Sequence, residues 1–343
     1  MNRPHDLITL GRVGVDLYPQ QTGVPLAEVE TFARSLGGTA TNVAVAAARH
    51  GLRTAVATGV GDDRFAPYVR TALRRFGVDD SQVVTVTGRQ TPVVFCEIHP
   101  PDDFPILFYR APIAPDQCLT CEDLDLAAFA RARMIWITGG GLAVEPSRTT
   151  TLEVAALRAP GADTVLDLDW RPSFWSRPED ARHWYARALE LATVAVGNRD
   201  EAKVAVGTRD PDKAADLLLA SGVRLAVIKQ GPHGVLARTP TEEVVVEPIT
   251  VRVVNGLGAG DAFGGALAAG LLAGRPLREV VETANAAGAL VAGRLACADD
   301  MPEPHEVTEL LWRNARRHPQ DPPLSVPPRA FTLAAHRPRD VSP

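Results

Sequence analysis

Short apolar runs alternate with amphipathic stretches along most of this chain. LITLGRVGVDLY, near the N-terminus, reads as one buried strand ending at Asp16, and TAVATGVG reads as another. A polar residue at the C-terminal end of a strand is where open α/β sheets meet their ligands. An alanine-rich helix is expected from Thr41 to Arg49, stopped by Gly51. FAPYVRTALRRFG reads as an amphipathic helix stopped by Gly77. MIWITGGG, TVLDLDWR, VAVGN and LAVIKQG follow as strands, separated by helices such as ARHWYARALELA and DPDKAADLLLASG. GPHGVLART followed by EEVVVEPITVRVV reads as a hairpin-like pair, and DAFGGALAAGLLAG and ETANAAGALVAGRL as two helices. This alternation predicts an α/β fold with a mostly parallel central sheet and helices on both faces.

The rhythm breaks between Thr91 and Arg110. There TPVVFCEIH and PILFYR look like two strands around a Pro-Pro-Asp-Asp turn, an antiparallel excursion from the main sheet. From about Arg313 the periodicity stops and proline and arginine accumulate. That composition predicts a disordered extension over residues 313–343. No internal repeat is evident.

The 343 residues suffice for one large α/β domain, and the 45% hydrophobic content is ordinary for a globular protein. With 36 basic and 41 acidic residues the formal charge is −5. The chain also lacks a basic run of useful length, so a nucleic-acid partner is not expected. An anionic substrate would need positive charge concentrated locally. No apolar run is long enough to span a bilayer, and the N-terminus lacks a secretory pattern, so a cytoplasmic protein is expected. Cys118 and Cys121 form a lone CxxC without a second pair, which reads as incidental thiols rather than a zinc or redox site.

Two glycine-rich turns carry candidate chemistry. Asn255-Gly256-Leu257-Gly258-Ala259-Gly260-Asp261 leads directly into a small-residue helix. Gly258 and Gly260 let backbone N–H groups turn inward at a helix N-terminus, where they and the helix dipole favour an anion. Asp261 would stand beside that cradle, able to accept a proton from an attacking hydroxyl. The plainer reading is an Asp helix cap. No Gly-Lys-Ser/Thr follows, so this is not a Walker loop. Earlier, Leu36-Gly37-Gly38-Thr39-Ala40-Thr41-Asn42 opens another helix. Its paired glycines admit a ligand close to the backbone, and Asn42 can both donate and accept toward sugar hydroxyls.

Taken together, GGTATN and GLGAGDAFGGAL resemble the two signature motifs of the ribokinase-like sugar kinases, also called the phosphofructokinase B family. Their order and the intervening βα rhythm fit over residues 6–312. The resemblance implies a ribokinase-like domain with a small β lid, formed by segments at about 17–35 and 90–112, that often serves as a dimer contact. It implies ATP-dependent phosphorylation with Asp261 as catalytic base and Gly258, Ala259 and Gly260 as the anion hole. It further implies substrate contacts from Asp16, Gly37, Gly38 and Asn42. Asn198 and Glu201 match an NxxE motif linked to magnesium and phosphate, Glu201 acting on Mg2+ indirectly. Lys229 and Gly231 match the lining of the nucleotide site, and Asn285 lies near the position that meets the adenine. Many members carry Asp-Thr before the GAGD turn and use that segment to bind a monovalent cation. Here Asn255 and Gly256 replace it, which leaves only backbone carbonyls for K+.

The substrate side adds arginines. Tyr109 and Arg110 end ILFYR, and Arg171 follows a central strand in LDLDWRPSFW. Arginine forks match a carboxylate bidentately, so two of them converging would select a sugar acid. The alternative is that they pair with acids such as Asp167 and Asp169. These segments resemble the family's kinases for 2-keto-3-deoxygluconate and, more closely, for 5-dehydro-2-deoxygluconate in myo-inositol catabolism. Other readings are a fructokinase-like enzyme, or a sugar-binding regulatory protein on the same fold, which would keep the pocket but lose the base or anion hole.

Overall fold

In a computed structural model of the chain, residues 4–159 and 161–317 are described. Fourteen strands occur among them. In chain order they are β1 (Leu7–Leu10), β2 (Gly14–Pro19), β3 (Phe32–Gly37), β4 (Thr54–Gly61), β5 (Val78–Asp79), β6 (Val83–Val86) and β7 (Val93–Cys96). The others are β8 (Ile106–Tyr109), β9 (Met134–Thr138), β10 (Asp163–Asp167), β11 (Val194–Asn198), β12 (Leu225–Lys229), β13 (Val235–Arg238) and β14 (Glu243–Val246).

Ten of these form one sheet in the order β14-β13-β12-β11-β10-β9-β1-β4-β5, with β6 also pairing β4. Every pairing is parallel except β12–β13 and β13–β14. Side chains alternate across a strand, so each apolar run feeds two cores. Leu7, Val56, Met134 and Trp136 point to one face, under the helices Thr39–Arg49, Ala66–Arg75, Ala259–Leu272 and Leu277–Ala292. Ile8, Leu10, Ile135 and Ile137 point to the other, under Leu126–Arg131, Ser147–Ala156, Ala181–Leu189, Arg199–Val206 and Pro211–Ala220. Burying both faces explains the nearly continuous apolar runs.

A second sheet has the order β3-β2-β7-β8. β2 pairs antiparallel with β3 and parallel with β7, and β7–β8 is antiparallel. It occupies the two segments where the sequence breaks its βα rhythm. The expected single strand LITLGRVGVDLY is in fact two: β1 in the large sheet and β2 in the small one. The chain crosses between sheets at Gly11–Val13, where a Cβ on Gly11 would sit 3.0 Å from that of Ala40. Asp16 therefore rides on a strand of the small sheet, not at the end of a central strand.

The two helices that open with the glycine turns pack unusually closely. A Cβ on Gly265 would overlap Ala46, and one on Gly264 would lie 2.8 Å from the Trp136 ring. Alanine and glycine at the crossing let the backbones approach, and this closeness brings the first turn of one helix against the first turn of the other.

The hairpin is β13 with β14, and residues 247–254 carry no helix or strand. The last helix, Pro304–Arg317, continues past the domain end expected at residue 312. The remainder of the expected tail lies outside the described residues. Cys118 and Cys121 are free thiols, and among the described residues no group of three or more His, Cys, Asp or Glu could hold a metal ion. No helix there is long and apolar enough to cross a membrane.

Candidate active site

A pocket opens between the small sheet and the C-terminal ends of the central strands. Arg12, Asp16, Gly38, Asn42, Phe108, Arg110, Arg171, Gly258, Asp261 and Cys297 line it. It thus gathers the two glycine turns with the arginines of the lid and of the loop after β10.

Asp261 stands in the first turn of the helix Ala259–Leu272. Gly258 precedes that helix with φ +81°, a conformation costly for any residue with a side chain. A Cβ there would also meet the Cys297 thiol at 2.5 Å. Asn42 Nδ2 donates to Asp261 Oδ2 at 2.8 Å, while Asn42 Oδ1 is buried with no protein partner. Burial pushes the Asp261 carboxyl up to about 6; the Asn42 hydrogen bond works against that shift, and the Asp169 charge adds to it. A carboxylate so placed holds a proton less tightly than burial alone dictates and lies near the pH where it can exchange one.

Asp16 is buried beside Gly37, where any Cβ would overlap its carboxyl. The Tyr18 hydroxyl donates its one proton to Asp16 Oδ2 at 3.1 Å and can accept from the Cys297 thiol, whose Sγ is 2.8 Å away. Burial pushes Asp16 up to about 7, against the pull of Tyr18 and Arg12. Gly38 has φ +102° and presses on the Arg12 carbonyl, so this position too excludes a side chain.

Arg110 donates to Asp116 at 3.0 Å and lies over the Phe174 ring, 4.1 Å from its centroid. Arg171 Nη2 is 3.4 Å from Asp169 Oδ1, and its Nε is buried without a partner. Both arginines thus face the pocket while leaning on an acid, Asp116 rather than Asp167 in the case of Arg110. Tyr109 does not join them. Neighbouring residues on a strand point to opposite faces, so with Arg110 inward Tyr109 turns outward. It is 61% exposed and packs edge-on against Phe95, 5.5 Å between ring centroids. Tyr109 is therefore not a pocket residue, contrary to the expectation from ILFYR.

The other expected residues lie along the strand ends beyond Asp261. A Cβ on Gly260 would be 2.9 Å from Lys229 Nζ, so the ammonium at the end of β12 reaches the glycine turn. Burial would lower the Lys229 pKa, but Glu201, Asp167 and Asp261 together raise it, and it stays charged. Asn198 and Glu201 form a reciprocal cap. Asn198 Oδ1 accepts from the Asp200 and Glu201 N–H groups at 2.9 Å each, and Glu201 Oε2 accepts from Asn198 N–H at 2.6 Å. This leaves the Asn198 amide N–H2 and the other Glu201 oxygen for a ligand. Gly231 opens the turn Gly231–His233 after β12. Asn285 donates to the Glu247 carbonyl at 3.0 Å and is not in the pocket around Asp261.

Asn255 is fully buried and spends both polar groups internally, donating to Leu295 O at 2.7 Å and accepting from Leu257 N–H at 2.9 Å. Gly256 makes room for Phe104, 2.9 Å from where a Cβ would sit. The turn offers no side-chain carboxylate to a monovalent cation.

Sequence reasoning missed Arg12, which donates to the Asp169 carboxylate and to Thr39 Oγ1. A lone arginine inside the apolar run LITLGRVGVDLY was the available signal, since buried arginines are rare unless paired. It also missed Tyr18.

The model of the pfkB family carbohydrate kinases matches residues 4–304. The chain belongs to that family. Membership makes it a carbohydrate kinase, a phosphotransferase with an alcohol group as acceptor. A protein of Photobacterium profundum named 5-dehydro-2-deoxygluconokinase is 34% identical over 310 residues, 88% of this chain and 93% of its own. Among solved structures, a PfkB protein from Polaromonas sp. JS666 superposes with a TM-score of 0.75 at 26% identity, covering 86% of this chain and 98% of its own. The fructokinase of Vibrio cholerae O395, in its fructose, ADP and calcium ion bound form, gives 0.78 at 25% identity, covering 90% and 99%. The pfkB kinase fold thus carries a sugar and a nucleotide in that relative.

Proposed function

We propose that this pfkB kinase transfers the γ-phosphoryl group of ATP to the 6-hydroxyl of 5-dehydro-2-deoxy-D-gluconate, within myo-inositol catabolism. The observation that carries this reading is the pocket that joins Asp261 to Arg110 and Arg171. A general base and a local store of positive charge then face one ligand, as a sugar acid needs. The name of the Photobacterium relative supports the same substrate.

In this mechanism the sugar acid lies under the small sheet. Asp16 and Asn42 hold its hydroxyls, with the unpartnered Asn42 Oδ1 accepting from one of them. Gly37 and Gly38 give the sugar its close approach, and the arginines hold its carboxylate. Asp261 takes the proton from the primary hydroxyl as that oxygen attacks the γ-phosphorus in line. The N–H groups of Gly258, Ala259 and Gly260, with the Lys229 ammonium, take the charge that builds on the phosphoryl oxygens. ATP lies across the ends of β11 and β12, near Asn198, Gly231 and Asn285. The divalent ion, Mg2+, neutralises the phosphates when bound. The protein supplies no cluster of acids for it among the described residues, and the free Glu201 oxygen fits a contact through water, as suits an ion that keeps its hydration. Asn255 spends its side chain internally and offers K+ no charge, so a monovalent-cation site here would rest on backbone carbonyls alone.

The enzyme acts in the cytoplasm as a homodimer. The outward face of the small sheet supports the dimer, because Leu107 and Tyr109 are 47% and 61% exposed there. The test of the function is a coupled ADP-release assay across keto-deoxy sugar acids, fructose and nucleosides. Fastest turnover on 5-dehydro-2-deoxy-D-gluconate is expected. Preference for 2-keto-3-deoxygluconate or fructose would reassign the substrate, and binding without ADP release would make the protein a sugar sensor.

A further inference from the structure

Three guanidiniums and two carboxylates meet at one end of the pocket. Arg12 donates to both oxygens of Asp169, Arg171 approaches the same carboxylate at 3.4 Å, and Arg110 pairs with Asp116 at 3.0 Å. Asp16 and Asp261 make their hydrogen bonds elsewhere, to Tyr18 and Asn42. Within this cluster of ion pairs the guanidiniums outnumber the carboxylates by one, and burial pushes the pocket's other two acids, Asp261 and Asp16, toward their protonated forms.

The three arginines are not equivalent. Arg12 has only a tenth of its side chain exposed, and the Asp169 side chain is 2% exposed. Arg12 also donates to Thr39 in the first glycine turn and lies 5.5 Å from the centroid of the Phe174 ring, on which Arg110 stacks. Both of its terminal nitrogens are thus engaged within the protein. Arg171 is 35% exposed and keeps its Nε unpartnered. Asp169 itself holds φ +26°, a conformation a non-glycine residue adopts only when its surroundings enforce it.

We propose that Arg12 is the positioning residue that makes this kinase selective for a carboxylated acceptor, by neutralising Asp169 so that Arg171, beside Arg110, is left to bind the acceptor's carboxylate. Without Arg12, Asp169 would draw Arg171 into a full ion pair and set an uncompensated negative charge beside the incoming anion. The inference rests on the sugar-acid reading above and deepens it. It assigns the selectivity to a residue that acts through Asp169.

The test is steady-state kinetics on the full chain, with 5-dehydro-2-deoxy-D-gluconate as the acid and D-fructose as the neutral acceptor. Arg12→Gln should raise KM for the acid by about tenfold to hundredfold and lower the acid-to-fructose ratio of kcat/KM by a similar factor, with KM for ATP unmoved. Adding Asp169→Asn to Arg12→Gln removes the charge that Arg12 neutralises, and should restore most of the acid preference. A residue that merely props up the fold would not be rescued in this way. An unchanged ratio in Arg12→Gln overturns the proposal, as does a double variant no better than the single one. Should Arg12→Gln fail to fold, the double variant still decides: an acid preference within about tenfold of wild type supports the proposal and its collapse overturns it. A wild-type protein that phosphorylates neither acceptor sinks the underlying reading as well. A wild type that prefers the acid, with Arg12→Gln unchanged, sinks this inference alone.

Discussion

The Asn42 amide donates to the Asp261 carboxylate at 2.8 Å, joining residues 219 positions apart. The contact exists because glycine and alanine fill the crossing of their two helices, where Gly265 meets Ala46. It makes one site of the two glycine turns and opposes the rise that burial imposes on the pKa of the residue assigned as the base.

Removing the amide should therefore move the pH dependence. The Asn42 hydrogen bond lowers an Asp261 pKa that burial has raised to about 6. In Asn42→Ala the carboxyl should titrate higher still, so the acidic limb of the kcat/KM profile shifts to higher pH. A limb that stays in place would mean that another group governs it.

Gly37→Ala should separate the two substrates. Its Cβ would overlap the Asp16 carboxyl on the sugar side of the pocket. KM for the sugar acid should rise by about tenfold or more, with KM for ATP nearly unchanged, because an overpacked buried site costs about 1–3 kcal/mol. Equal losses for both substrates would point to general misfolding.

Arg171→Ala and Tyr109→Ala should behave oppositely despite their shared expectation from sequence. Arg171 lines the pocket, whereas Tyr109 faces outward. Loss of Arg171 should raise KM for the acid by about tenfold or more and leave fructose turnover unaffected. Loss of Tyr109 should leave both KM values alone and weaken self-association, as read by sedimentation. A raised KM in Tyr109→Ala would restore it to the site.

Asp16 should carry a stability signature. Its folded-state pKa is pushed up to about 7, above the unfolded value of about 3.9. Between those pH values the folded state holds a proton that the unfolded state has released. The carboxyl's contribution to stability therefore falls as pH rises through this window, and is lowest above it. Asp16→Asn should raise the melting temperature by a few degrees at about pH 8, the gain shrinking toward about pH 4. A gain independent of pH would detach it from this titration.

Much of this was legible in the sequence, for identifiable reasons. Apolar runs such as MIWIT announce strands buried on both faces, and the glycine turns announce helix starts. The division of LITLGRVGVDLY between two sheets was not legible, because both halves are apolar and the turn at Gly11 leaves no polar gap. Arg12 and Asp169 pair across 157 positions, a contact that only the folded topology creates. The outward turn of Tyr109 was readable in principle: two adjacent strand residues cannot face the same pocket.

The central claim is that Asp261 is the base of this kinase, and Asp261→Asn tests it most directly. The substitution keeps the shape and removes the charge. Under saturating ATP and sugar acid, kcat should fall roughly 10²- to 10⁴-fold. The affinity for the sugar acid, measured by calorimetry, should stay close to wild type. Turnover near the wild-type rate would contradict the account.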